Sequence, residues 1–239
     1  RVMRLLTVSL ALLLPLSYAA IGIDMSTLAS VSALECAKKS GHHFLISRIY
    51  REDGVFDSHG AESIKNAHKA GMPNVDAYVF PCITARCPPP SSQIQSLVTK
   101  MHSEGVKIGM LWLDIERSAW PADQAHNRNF ILQLANQAHA MGMKVGIYSN
   151  NNNWQAIVGI GWTGVAHYPL WWANYNGHES LSGFVPFGGW HKPAIHQYHG
   201  TTTVCGLGVD LNWYPDGVED EFTRKFLAYR NGTIKSMLE

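Results

Sequence analysis

Two hydrophobic periods alternate along the chain. Short apolar runs of strand length, IGID (21–24), FLISRIY (44–50), VDAYVF (75–80), IGMLWLDIE (108–116) and KVGIYSN (144–150), are separated by longer stretches with helical spacing. This rhythm predicts parallel strands joined by helical crossovers. Helices are expected over 26–41 with Ser26 as cap, over 58–71, 91–105 and 121–142 with Pro121 at the first helical position, and briefly over 154–158. Gly41, Gly71, Gly105 and Gly142 stand where a left-handed residue would stop four of them. Beyond residue 165, PLWWANY, AIHQYHG and VDLNWYP still read as strands, but Gly-rich loops without helical period lie between them. Eight strands in this order predict an α/β fold: a modified single-domain β/α barrel over 20–215 with its late helices missing. An open doubly wound sheet is the alternative. Residues 216–239 read as a polar helical tail without a catalytic part.

The first 19 residues break the rhythm. Arg4 followed by LLTVSLALLLPLSYAA has the charged start, apolar centre and small-residue end of a secretory signal. Ser17 and Ala19 fit a cut after Ala19, with Ala20 as the other choice, and Met3 is read as the start. The chain has a net charge of +1, and removing Arg1 and Arg4 with the leader takes it to −1, which gives no electrostatic basis for nucleic-acid binding. With 46% hydrophobic residues in 239 the chain is not disordered. Twelve histidines can turn it positive in acid, which suggests an acidic compartment and an anionic polymer as target. Four cysteines in an exported chain suggest two disulfides. Cys82 and Cys87 enclose only ITAR and suit a local staple; that leaves Cys36 with Cys205, a link between the two ends of the fold.

The candidate chemistry sits at strand ends. Asp114 and Glu116 share a strand face with Trp112, their Cα atoms about 6.7 Å apart. Active sites of parallel α/β folds open at the C-terminal strand edge. Asp24 ends the first strand and Asp210 begins the last, and closure of a barrel makes those strands neighbours. Crowded carboxylates raise the pKa of at least one, which keeps a proton available for general-acid work. Aromatics expected at the same rim are Trp171, Trp172, Tyr175, Trp190, Trp213 and Tyr214, with Tyr78 and Tyr148 on earlier strands. Sugar rings stack on such side chains while their hydroxyls seek partners such as Gln197 and Asn174, so carbohydrate is the expected ligand class.

Seven stretches, GIDMS, DAYVFPC, LWLDIE, GIYSN, LWWANY, IHQYHG and CGLGVDLNWYP, appear in order across nearly the whole mature chain. Together they resemble the family 25 glycoside hydrolases, lysozymes that cleave peptidoglycan between N-acetylmuramic acid and N-acetylglucosamine. The cysteine placement resembles the eukaryotic, protist-type branch. The resemblance implies Glu116 as general acid and base, Asp114 beside it, and Asp24 and Asp210 lining the same cleft, with Tyr78, Tyr148, Trp172 and Gln197 binding or orienting sugar; Tyr175, from the rim aromatics, is expected to bind sugar beside them. It also implies bacterial peptidoglycan as partner, a secreted or phagosomal location, a monomer, and no cofactor, metal, nucleic acid or membrane partner. A chitinase-like barrel also ends a strand in Asp-x-Glu, but its further acids are replaced here by Trp112 and Gly109. A glycan-binding protein without turnover is the rival from another class. His191, His196 and His199 could suggest zinc, yet the three-residue spacing puts His196 and His199 on opposite strand faces. Asn231-Gly232-Thr233 is a glycosylation sequon.

Overall fold

The computed structural model describes residues 19–215, 217 and 221–237. Its eight strands form one closed barrel in chain order. They are β1 (Ala20–Met25), β2 (His42–Tyr50), β3 (Asn74–Val79), β4 (Leu111–Asp114), β5 (Val145–Ser149), β6 (Leu170–Ala173), β7 (Ile195–Val204) and β8 (Leu207–Tyr214). The helices are α1 (Val31–Lys39), α2 (Ser58–Lys69), α3 (Pro90–Ser103), α4 (Gln124–Ala140), α5 (Asn151–Ile157) and α6 (Glu221–Asn231). No helix separates β6 from β7 or β7 from β8. The first seven strands run parallel, and β8 is antiparallel to both β7 and β1. Residues 1–18, where the expected signal falls, lie outside the described residues.

Gly41, Gly71, Gly105 and Gly142 all have positive φ, between 67° and 95°, just beyond the helices they stop. Three helix starts differ from expectation. α5 begins at Asn151 behind an Asn150 cap rather than at Trp154. The cap of α1 is Ser30, whose side chain accepts from the Ala33 N–H, while Ser26 lies in the preceding loop. The cap of α4 is Asp123, which accepts from Ala125 and His126. A carboxylate satisfies two free N–H groups there, which Pro121 cannot do.

Between barrel and helices lies one apolar layer, including Leu111, Leu113 and Ile115. A second fills the barrel, including Phe44, Trp112, Trp171 and Tyr214. Missing side chains make room for these rings: a Cβ on Gly146 would lie 2.3 Å from Trp112, and one on Gly22 would lie 2.4 Å from Phe44.

α6 is less polar in its setting than its sequence suggests. It plugs the N-terminal end of the barrel with Phe226, Tyr229 and Arg230, all buried. Arg230 Nη2 donates to Asp76 Oδ2 at 2.8 Å, and Asp76 also accepts from the Met110 N–H at 3.0 Å and Trp112 Nε1 at 3.2 Å. The guanidinium lies near the rings of Phe44, Tyr214 and Phe226. Both disulfides form as read: Cys82–Cys87 closes the loop after β3, and Cys36–Cys205 joins α1 to the β7–β8 turn. Asn231 ends α6 and is exposed.

Candidate active site

Alternation sends every second side chain of a strand inward, and the last inward positions are polar. Asp24 and Asp210 face each other directly across β1 and β8. Asp114 pairs with Tyr148 across β4 and β5, and Ala173 with Gln197 across β6 and β7. Glu116 lies two residues beyond Asp114, past the end of β4. Its segment is pinned on three sides: the Ile115 N–H donates to Tyr148 O at 2.9 Å, Ser149 Oγ donates to Ile115 O at 2.7 Å, and Trp120 Nε1 donates to Glu116 O at 2.9 Å.

Gln197 is the hub. Its Nε2 donates to Asp24 Oδ2 at 2.8 Å and to Asp210 Oδ2 at 3.3 Å, while its Oε1 accepts from Tyr148 at 2.8 Å and from Tyr175 at 3.1 Å. Only 2% of Gln197 is exposed, so it orients the acids and phenols rather than lying open to a ligand. Asn212 Nδ2 adds a 2.7 Å bond to Asp24 Oδ2, and the Thr201 N–H donates to Asp210 Oδ1 at 2.6 Å.

The carboxyls differ in environment. Burial, then Asp210, push Asp24 up to about 7 against the amide bonds that favour its charged form. Asp114 is raised well above the usual carboxylate range by burial, with Glu116, Asp24 and Glu52 adding to it. Its Oδ1 is buried without a hydrogen-bond partner among the described residues. Glu116 is raised by burial, then by Asp210 and Glu52, yet it remains partly open to solvent. Three acids that hold protons more tightly than free carboxyls share one mouth.

Two hollows flank this cluster. The larger, about 390 Å³, is lined by Glu116, Tyr148, Asn150, Asn151, Asn174 and Tyr175 among others. The smaller, about 230 Å³, has Asp24, Ser26, Tyr78, Thr201 and Asp210 in its wall. The groove at this mouth is therefore polar and acid-lined. Tyr175 presents its ring to it: 60% of the residue is exposed, and the ring lies so close over Gly200 that a Cβ there would sit 3.1 Å away.

Most aromatics expected at the rim lie elsewhere. Trp171 is inside the barrel against Tyr148 and Trp112. Trp190 packs on Trp154 outside it, and Tyr214 lies at the opposite end against Phe44 and Phe226. Trp213 pairs with His196 and Ile21 along the strands, on the outward-facing row. Trp172 borders the larger hollow, but 3% of it is exposed, and it is stacked on His196 and edge-on to Phe184. The aromatic contacts left to a ligand are Tyr78, Tyr148 and Tyr175. His196 is buried and His199 exposed. Asn212 and Glu52 escaped the sequence reading. Asn212 could have been found as the next inward position after Asp210; Glu52, on a loop, has no periodic signal.

A family model described as "Lysozyme-like protein 1" matches residues 16–198. "Lysozyme-like protein 5" of Caenorhabditis elegans is 46% identical over 195 residues, 81% of this chain and 91% of that protein. "Probable GH family 25 lysozyme 2" of Dictyostelium discoideum is 39% identical over 210 residues, 88% of this chain and 98% of the other. The muramidase from Acremonium alcalophilum shares the fold, with a TM-score of 0.69 at 20% identity over 89% of this chain and 99% of that one.

Proposed function

Because the chain belongs to the family 25 glycoside hydrolases, the lysozymes, we propose that it hydrolyses the β-1,4 bond between N-acetylmuramic acid and N-acetylglucosamine in bacterial peptidoglycan. The observation that carries this reading is the convergence of four acids from β1, β8 and the β4 end on one groove, with Asp24 and Asp210 tied through Gln197.

Glu116 is the general acid. Burial and its acidic neighbours keep it protonated further toward neutrality than a free glutamate, and it borders the larger hollow where a leaving-group oxygen can approach. Proton transfer to that oxygen lets the C1–O bond break toward an oxocarbenium-like state, which nearby carboxylates stabilise. The substrate's own 2-acetamido oxygen then closes on C1. Asp210, in the wall of the smaller hollow, or Asp114 behind it accepts from the acetamido N–H. Water, deprotonated by Glu116 in its second role, opens the intermediate. Tyr175 stacks on a sugar face, and Tyr78 and Tyr148 line the groove as phenols that burial keeps protonated.

The protein works as a secreted or phagosomal monomer after removal of residues 1–19. A cut after Ala19 leaves β1 whole, whereas a cut after Ala20 removes the residue that pairs with Tyr214. Turbidity clearing of bacterial walls tests the activity. Native protein clears them, and Glu116→Gln keeps the fold while losing at least about 10²-fold in rate. Wall binding without clearing by the native chain would support a lectin instead. The anomeric configuration of the first product, followed by NMR, reads retention as the substrate-assisted route requires.

A further inference from the structure

His196 has no part in the chemistry above, yet its surroundings are unusual. Its ring is fully buried and stacked on Trp172, centroids 4.4 Å apart with 24° between planes. Each ring nitrogen meets a backbone carbonyl: Nδ1 lies 2.6 Å from Ser180 O and Nε2 lies 2.8 Å from Asn174 O. Carbonyl oxygens only accept. A neutral imidazole has one N–H, so it satisfies one carbonyl and turns a lone pair toward the other; the imidazolium donates to both.

Both carbonyls belong to residues 174–180, which form the cleft wall after β6. This segment carries Tyr175, whose hydroxyl donates to Gln197 Oε1 at 3.1 Å. It is also fastened to β7 by the Asn174 N–H to Gln197 O at 3.0 Å, the Gly177 N–H to Tyr198 O at 2.9 Å and the Tyr198 hydroxyl to Glu179 Oε1 at 3.2 Å. We propose that His196 is a positioning residue whose second proton ties residues 174–180 to the barrel through both ring nitrogens, holding Tyr175 in place over the groove. The role in substrate binding rests on the muramidase reading; the tether itself does not.

The titratable groups around the ring are few. On β7, Tyr198 lies with its ring centroid 6.2 Å away and donates to Glu179 Oε1 of the segment at 3.2 Å. Burial, then Glu179, push Tyr198 up to about 12, so it stays neutral. Tyr175, His178 and Glu179 are the segment's ionisable groups. β6 and β8 face the ring with Trp172 and Trp213, which carry no charge. Burial lowers the imidazole pKa and the two carbonyls raise it, with burial the larger effect. The second proton therefore arrives below the ordinary histidine range, and the wall is fastened most tightly in acid.

The test uses the full chain with ¹⁵N-labelled histidine. Ring ¹⁵N shifts follow the His196 proton, Gly177 amide exchange follows the segment, and KM follows the substrate, all across pH 4 to 8. As the ring gains its second proton, Gly177 protection rises roughly tenfold beyond the intrinsic pH effect, the worth of one charge-assisted bond, and KM falls in step. His196→Phe keeps the stack on Trp172 and shows low protection at every pH; His196→Gln, a donor without titration, shows protection independent of pH. A ring that stays in one neutral tautomer to pH 4, or flat Gly177 protection through its titration, overturns the tether. Cleared walls with flat protection sink the tether alone. Titration and protection moving together without clearing support the tether and sink the muramidase reading.

Discussion

Asp24 accepts two amide hydrogen bonds and still holds its proton to about pH 7, because burial and Asp210 outweigh Gln197 and Asn212. The linkage follows from that sign. An acid whose folded pKa lies above its unfolded value binds more protons when folded, so its contribution to stability is present below about pH 4 and is lost as pH rises to about 7. Asp24→Asn should therefore stabilise the protein at pH 7.5 by about 1 kcal/mol or more and flatten the decline between pH 4 and 7. Urea titrations at several pH values check this; an unchanged slope would show that Asp24 is not strained. At this scale the acids were legible, since a two-residue period places them at strand ends. The aromatics were not. Trp171 and Trp172 are adjacent with the same chemistry, yet one faces the barrel interior and the other the helix layer. Gln197 was legible as a polar group on the right face, but its four hydrogen bonds were not, because they join strands far apart in the chain.

Among the elements, the strands and the four glycine stops were readable because each rests on local pattern or local backbone conformation. Helix starts moved by several residues where two polar residues competed for one cap, as with Ser26 and Ser30. α6 shows the limit more sharply. Its sequence reads as a polar tail, and the partners that bury it, Asp76, Phe44 and Tyr214, lie inside a barrel that must close first. Removing the guanidinium leaves Asp76 as an uncompensated buried charge, and Arg230→Ala should cost about 3–5 kcal/mol. Denaturant midpoints measure it. Gly146→Ala belongs to the same scale: its methyl meets the Trp112 ring, so about 1–3 kcal/mol should be lost to overpacking.

For the molecule as a whole, barrel closure was legible because eight strands and missing late helices left few arrangements, and the cysteines pointed the same way. The Cys36–Cys205 bridge spans 169 positions and Cys82–Cys87 only 5. Loop entropy assigns the first about 5 kcal/mol and the second about 2 kcal/mol, so Cys36→Ala with Cys205→Ala should lower the melting temperature far more than the Cys82/Cys87 pair does. Antiparallel β8 has a further consequence. Asp24 and Asp210 meet only when the last strand slots in beside the first. A growing polypeptide holds at most one of these two carboxyls until its final strand has been made, so the paired acids of the site come together only at the end of synthesis.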